Sequence, residues 1–259
     1  MRLSFLGTGS ISAPPLYGCA CEICVEARSS PQTRRRPASA LVEAGETRLL
    51  IDAGLMDLAE CFAAGDFPTI LLTHFHPDHV QGLFHLRWGL GRHIPVYCPP
   101  DPEGCADLYK NPGLLEFRPV RAFAPFPLGP MLITPVPLIH SKVTLGYCIE
   151  CGDNRIAYLT DTAGLPPETE KFLRRWQPSA LVIDSSHPPR VDTQKNHNDV
   201  TLALAVIATV RPQRAWLTHI GHELDVWLKD NGHALPPRVF VARDGESIHA
   251  PLDILAEQV

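Results

Sequence analysis

Short apolar runs separated by polar turns follow one another along the whole chain. Leu3 and Phe5 alternate with polar neighbours before the turn at Gly7 and Gly9, which indicates an N-terminal strand and a tight turn. Residues 39–44 and 48–52 flank Gly45 and predict paired strands. Further strands are predicted at 70–72, 94–97, 131–137, 145–150, 155–160, 180–184 and 214–218. Helices are predicted at 57–64, 80–90, 101–109, 167–176, 198–210 and 223–231.

Two segments carry weaker patterns. Residues 111–130 are rich in Pro, Phe and Arg without a clear period, which favours an irregular covering loop. Residues 238–242 and 246–249 flank Asp244-Gly245 and predict a closing hairpin. Strands and helices alternate in blocks, and neither a repeat nor a linker interrupts them. This order fits an α/β protein with a four-layer αββα sandwich, formed by one domain over residues 1–259.

Composition narrows the class of protein. The chain has 259 residues, a hydrophobic fraction of 45% and no apolar run near the roughly 20 residues needed to span a bilayer. With no signal-peptide pattern at its start, we expect a cytoplasmic protein that has no membrane partner. The net charge of −5 argues against a stable nucleic-acid partner. Eight cysteines without a secretion signal suggest thiols and metal ligation rather than disulfides.

The strongest chemical signal directly follows the apolar run at residues 70–72. His74, His76, Asp78 and His79 form the pattern His-x-His-x-Asp-His. His74 and His76 are two residues apart, so in extended backbone they point the same way and can bind one ion. Asp78 and His79 follow a turn and more naturally face a second position. Packing does not explain four ligand-type side chains within six residues. The pattern therefore predicts a metal centre.

More ligand-type residues follow later predicted strands. His140, Asp161 and His219 each stand at or near the end of an apolar run, as a two-metal centre requires. Asp52 follows another strand and is predicted to orient a ligand histidine, with a turn cap as the alternative reading. Histidine and carboxylate ligands suit Zn, Mn or Fe, and two such ions would acidify a shared water and screen an anionic substrate.

A second metal site is predicted near the N-terminus, in a loop at about residues 17–26. Cys19, Cys21 and Cys24 place three thiols within six residues. A tetrahedral structural zinc needs a fourth ligand, for which His222, three residues after His219, is the best candidate. A redox-active or free thiol cluster is the alternative.

The His-x-His-x-Asp-His pattern resembles the signature of the metallo-β-lactamase superfamily of metal-dependent hydrolases. The resemblance implies that His74, His76 and His140 hold one ion, that Asp78, His79 and His219 hold the other, and that Asp161 bridges them. The segments 17–24, 71–83, 161–166, 186–190 and 196–197 look more narrowly like the PhnP family of phosphodiesterases, which belong to the carbon–phosphorus lyase pathway.

The PhnP-like resemblance implies a reaction and its cofactors. It implies two Mn²⁺ ions (or Zn²⁺ or Fe²⁺) in the active site, one structural Zn²⁺, and a homodimer. The expected reaction is hydrolysis of 5-phosphoribosyl 1,2-cyclic phosphate, a small phosphorylated ribose, to ribose 1,5-bisphosphate in phosphonate catabolism. Activity on 2′,3′-cyclic nucleotides is also implied.

The resemblance assigns catalytic roles as well. His197 matches the family's general acid, although from the residues alone a helix-cap or surface histidine is an equal reading. Asp78 is counted with it as catalytic besides being a ligand. Lys142, Arg190 and the run at residues 34–36 are candidate binders of the substrate phosphates.

Three rival functions are weighed against the phosphodiesterase. A lactamase or thioester hydrolase would share the core, but it has no use for the Cys-x-Cys-x-x-Cys loop. An RNA hydrolase resembling the transfer-RNA 3′-processing endonucleases would share the ligands, but it would need a basic RNA-binding arm that the sequence does not show. A non-catalytic zinc-binding scaffold would be expected to have lost ligands, whereas seven are present here.

Overall fold

The computed structural model describes residues 1–191 and 195–252, so the predicted domain boundary at residue 259 lies outside the described residues. The strands are β1 (Arg2–Gly7), β2 (Ser39–Ala44), β3 (Thr47–Ile51), β4 (Ile70–Leu71), β5 (Ile94–Cys98), β6 (Leu115–Pro119), β7 (Phe126–Leu128), β8 (Met131–Pro137), β9 (Leu145–Cys151), β10 (Asn154–Leu159), β11 (Ala180–Asp184), β12 (Arg214–Thr218), β13 (Val239–Val241) and β14 (Ser247–His249). The helices are α1 (Glu22–Ser29), α2 (Leu58–Cys61), α3 (Pro77–Val80), α4 (Leu83–Leu86), α5 (Ala106–Lys110), α6 (Pro167–Trp176), α7 (Val200–Val210) and α8 (His222–Asn231).

The strands form two mixed sheets of seven strands each. The first sheet has the order β14-β1-β2-β3-β4-β5-β6 and the second β13-β12-β11-β10-β9-β8-β7. In each sheet one half pairs antiparallel and the other half parallel. The ends of parallel strands are where open α/β sheets build their sites, because loops leaving neighbouring strands converge there.

Alternation along the strands separates three layers of apolar side chains. The first layer lies between the sheets and includes Phe5, Tyr147 and Tyr158, all fully buried. A second packs the outer face of the second sheet against α6, α7 and α8, and a third covers the first sheet with the short helices α2 to α5. The predicted αββα sandwich is therefore confirmed.

The predicted covering loop at residues 111–130 is wrong, because the segment contains β6 and β7. Each is the last strand of its sheet: among the described strands, β6 pairs with β5 alone and β7 with β8 alone. An edge strand buries little of itself, and the burial of β6 drops quickly after Leu115. Its sequence therefore lacks the apolar alternation by which strands are recognised.

The predicted C-terminal hairpin is also wrong. Strand β13 runs parallel to β12 in the second sheet, whereas β14 runs antiparallel to β1 in the first. The chain crosses between the sheets at Asp244 and Gly245, where the Gly245 amide donates to the Phe5 carbonyl at 2.7 Å. Two alternating runs around Asp-Gly predict strands correctly, but they do not reveal which neighbour each strand pairs with.

Several helices differ in extent from the prediction. The run at 80–90 forms only α4 after the separate turn α3, and the run at 57–64 forms only α2. Helix α1 begins at Glu22 inside the predicted cysteine loop, so Cys24 is helical. In the described part of the chain, no helix is both long and apolar enough to cross a membrane.

Candidate metal centre and active site

The first group of donor side chains gathers His74, His76, His140 and Asp161, whose ligand atoms all lie within 4.8 Å of one another. His76 Nδ1 lies 2.9 Å from both His74 Nε2 and His140 Nε2. Asp161 Oδ2 lies 3.5 Å from His74 Nε2. Ligands at the usual roughly 2.1 Å from a tetrahedral ion stand roughly 3.4 Å apart, so these spacings suit one cation.

The second group gathers Asp78, His79 and His219 around the other side of Asp161. Asp161 Oδ2 lies 3.3 Å from His79 Nε2, and its Oδ1 lies 3.3 Å from His219 Nε2. Asp78 Oδ2 lies 3.5 Å from His219 Nε2 and 3.7 Å from His79 Nε2. The structure thus brings all seven predicted ligands together and puts Asp161 between the two groups.

Unpaired buried atoms test whether these residues fit metal ions. Within the described residues, Nε2 of His79, Nε2 of His219 and Oδ1 of Asp161 are buried and accept or donate no hydrogen bond. Buried polar atoms seldom lack a hydrogen bond, because burial has already removed their hydrogen bonds with water. His79 Nε2 and His219 Nε2 each lie 3.3 Å from an oxygen of Asp161, so the donor set fits two cations there.

The protonation states of four of the seven ligands favour the same interpretation. Burial lowers the pKa values of His74, His76 and His140, which leaves neutral imidazoles with a free lone pair. Burial would raise the pKa of Asp78, but the neighbouring His219 and His79 together outweigh this and lower the pKa to about 2. Metal ligands must be deprotonated, and these groups are so at neutral pH.

Asp52 lies beneath the centre, at the end of β3. Its Oδ2 lies 2.8 Å from His79 Nδ1, and its Oδ1 accepts from the Thr73 amide at 2.7 Å. A proton on His79 Nδ1 leaves Nε2 free to bind a cation. Asp52 adopts a left-handed backbone with φ of 56°, as does His219 with φ of 59°. Non-glycine residues seldom do so, and such strain clusters at functional sites.

His197 stands beside the donor groups, 23% exposed, with its ring stacked at 5.0 Å from that of His219. Its Nδ1 lies 2.9 Å from Asp184 Oδ2. Burial lowers the pKa of His197, but the Asp184 carboxylate more than offsets this and raises it to about 9. At neutral pH His197 is therefore a cation with a proton to donate.

Asp184 and Ser186 are site residues that the sequence reasoning missed. Asp184 is fully buried at the end of β11 and also accepts from the Thr162 amide and the Ser186 hydroxyl. Ser186 Oγ lies 2.9 Å from His219 Nδ1. The signal was present, since a carboxylate at the end of a buried strand is what singled out Asp161.

The cysteine group forms a separate cluster next to α8. The thiols of Cys19, Cys21 and Cys24 and the ring of His222 offer ligand atoms within 4.8 Å of one another. His222 Nε2 lies 3.2 Å from Cys21 Sγ and 3.7 Å from Cys19 Sγ. The hydrogen bond with His222 is the main cause that lowers the pKa of Cys21 to about 6. Three thiols and an imidazole suit tetrahedral zinc.

The arginine run at residues 34–36 is engaged in holding the fold. Arg35 makes two hydrogen bonds to the Asp225 carboxylate at 2.6 and 2.8 Å, and its side chain is 7% exposed. Arg34 donates to the Ala27 carbonyl, and Arg36 pairs with Asp57. These side chains tie the N-terminal segment to its neighbours, which argues against a role for them in binding substrate.

Comparisons with known proteins agree with this architecture. The family described as "Beta-lactamase superfamily domain" matches residues 47–220, more than half of the chain. A solved structure described as a new diphosphatase from the PhnP family is 26% identical, with a TM-score of 0.80 over 96% of this chain and 97% of its own.

Two curated relatives are similar over about half of their own length. An octanoyltransferase of Porphyromonas gingivalis is 26% identical over 95% of this chain and 51% of its own length. A ribonuclease Z of Methanopyrus kandleri is 29% identical over 58% of this chain and 53% of its own. The chain thus spans about half the length of these two relatives. By its family match and by the two donor groups at the sheet edge, the chain belongs to the metallo-β-lactamase superfamily of hydrolases and is PhnP-like.

Proposed function

We propose that this protein is a metal-dependent cyclic phosphodiesterase that hydrolyses 5-phosphoribosyl 1,2-cyclic phosphate to ribose 1,5-bisphosphate in phosphonate catabolism, and that also accepts 2′,3′-cyclic nucleotides. The observation that carries the proposal is the placement of His197, whose pKa is raised by Asp184, beside two donor groups with Asp161 between them. The similarity to a PhnP-family diphosphatase supports a phosphoryl substrate.

The first group would hold one Mn²⁺ and the second the other, with Asp161 between them. Bound there, two cations supply Lewis-acid stabilisation of phosphoryl charge and lower the pKa of a water. Asp78 is proposed to help hold that water on the side of the second group. His197 Nε2 is the free nitrogen of its ring, because Nδ1 faces Asp184. His197 is therefore placed to give its proton to the leaving alkoxide as the P–O bond breaks.

One panel of substrates distinguishes the competing reactions. It is assayed on protein whose metal content is measured in the same sample. The panel holds 5-phosphoribosyl 1,2-cyclic phosphate, 2′,3′-cyclic AMP, a dinucleoside diphosphate, a precursor transfer RNA and a β-lactam. Preference for the two cyclic diesters, with about three metals per chain, is expected. Cleavage of only the diphosphate or only the RNA would overturn the proposal. No turnover by the fully loaded protein would favour a zinc-binding scaffold.

Sedimentation of the same sample tests the proposed homodimer.

The cysteine group is proposed to hold one structural Zn²⁺. We expect Cys21→Ser to lower the zinc content by about one per chain and the melting temperature with it, because the site joins α1 to α8. Without metal the pKa of Cys21 is lowered to about 6, and a bound cation lowers it further, so zinc should be released only as the pH falls below that value.

The matched control is Cys61→Ser, which changes an exposed thiol outside the cluster and should keep the zinc. Zinc per chain is read by mass spectrometry during an acid titration. An unchanged zinc content in Cys21→Ser would contradict the structural site.

A further inference from the structure

Two basic residues, His187 and Arg190, lie on the loop after β11, and His187 stands next to His197. The ring of His187 lies 6.2 Å from that of His197, at an interplanar angle of 78°. Burial is the main cause that lowers the pKa of His187, and the Arg190 charge lowers it further, so the imidazole is neutral at neutral pH. The Arg190 amide donates to Asp199 Oδ2 at 2.9 Å. The start of α7 therefore fixes the loop, and neither side chain belongs to a donor group.

The Arg190 guanidinium has one side-chain partner among the described residues. Its Nη2 lies 2.5 Å from Glu223 Oε2, at the start of α8. Arg190 is 36% exposed and Glu223 is 65% exposed. An ion pair so open to water stabilises the fold little, so Arg190 can exchange its partner at small cost. A phosphate dianion is the stronger competitor, because the guanidinium fork matches its oxygens and makes charge-assisted hydrogen bonds.

We propose that Arg190 and His187 form a phosphomonoester subsite on the outer side of His197, and that Arg190 exchanges Glu223 for a terminal phosphate of the substrate. This deepens the proposed function and rests on it. The arrangement suits a sugar that presents one phosphate to the donor groups and a second to Arg190. The neutral His187 ring adds a hydrogen-bond donor beside the guanidinium.

Lys142 is the rival cation. It follows His140 on the loop after β8, is half-buried, and its ammonium has no hydrogen-bond or ion-pair partner among residues 1–191 and 195–252. A lysine offers a point charge and lacks the planar fork of a guanidinium. The structure therefore favours Arg190.

The test compares two substrates that differ only in the distant phosphate: 5-phosphoribosyl 1,2-cyclic phosphate and ribosyl 1,2-cyclic phosphate. We expect Arg190→Gln to raise KM for the phosphorylated ester roughly tenfold to a hundredfold, as the loss of a charged hydrogen bond does, with little change in kcat. KM for the unphosphorylated ester should stay the same. Glu223→Gln should lower KM for the phosphorylated ester, because it frees Arg190.

The double exchange Arg190→Glu with Glu223→Arg separates binding from a structural role. It can rebuild the ion pair with reversed charges, so a purely structural pair would recover the original KM. A phosphate subsite would not recover, because the guanidinium has left position 190. Arg174→Gln on α6, which removes an exposed arginine paired with Glu170, is the matched control and should leave both KM values unchanged.

Three results would overturn the subsite. The first is an equal rise in KM for both esters in Arg190→Gln. The second is recovery of the original KM in the double exchange. The third is a rise in KM confined to the phosphorylated ester in Lys142→Gln but absent in Arg190→Gln. Turnover of neither ester by the metal-loaded wild-type protein is a different failure, because it overturns the proposed function and the subsite with it.

Discussion

Replacement of Asp161 by asparagine is expected to abolish hydrolysis and to lower the metal content of the active site. Its carboxylate reaches His79 and His219 with different oxygens, each at 3.3 Å. An amide offers one oxygen and one NH2 donor, so it cannot bridge two cations. We expect kcat/KM for the cyclic diester to fall by about 10³-fold or more, since several kcal/mol of charge stabilisation depend on the ions.

The measurement combines steady-state kinetics with metal analysis of the same preparation. Asp153→Asn, in the exposed turn at the other end of β10, is the matched control and should behave as wild type. Circular dichroism checks that both variants fold. Full metal content with turnover within tenfold of wild type would refute the bridging role.

Replacement of His197 by glutamine should slow kcat by about 10²- to 10⁴-fold for alkyl leaving groups, the range of general-acid catalysis. A p-nitrophenolate leaving group needs little protonation, so the fall in kcat for a p-nitrophenyl ester should be far smaller. The protonated form is the active one, so wild-type kcat should fall as the pH rises through the pKa of His197, about 9 without metals. Bound cations lower that pKa, so the fall should begin at or below pH 9.

Asp184→Asn provides a second test of this assignment. The Asp184 carboxylate raises the pKa of His197, so its removal should move the alkaline fall in kcat to lower pH while the metals stay bound. His85→Gln, an exposed histidine on α4, is the control for both variants. An equal loss for alkyl and p-nitrophenyl esters in His197→Gln would exclude a role as general acid.

Much of the centre was predictable because its signals are local. His74 and His76 are two residues apart on extended backbone, and His140, Asp161 and His219 follow apolar strands that any reader of the pattern can locate. The same rule applies to Asp184, which ends the buried strand β11. Its partner His197 lies 13 residues further along the chain, and nothing in the spacing connects the two.

What could not be predicted depends on pairing between distant segments. Strands β6 and β7 lie at sheet edges, and β13 and β14 join different sheets. Backbone hydrogen bonds decide which strand pairs with which. The alternation of apolar and polar residues shows only which face of a strand is buried. The Arg190–Glu223 pair is of the same kind, since 33 residues separate its members.

The division of the ligands between the sheets has a consequence for folding. The loop after β4 in the first sheet supplies His74, His76, Asp78 and His79, whereas β8, β10 and β12 of the second supply the rest. Each cation would therefore cross-link the two sheets at the end of the sandwich that carries the ligands. A ligand at a hundred times its dissociation constant adds about 2.7 kcal/mol to the free energy of unfolding. Removal of the cations by a chelator should therefore speed amide hydrogen exchange first at this end of the sandwich. The amides of the layer around Tyr147 and Tyr158 should stay protected from exchange.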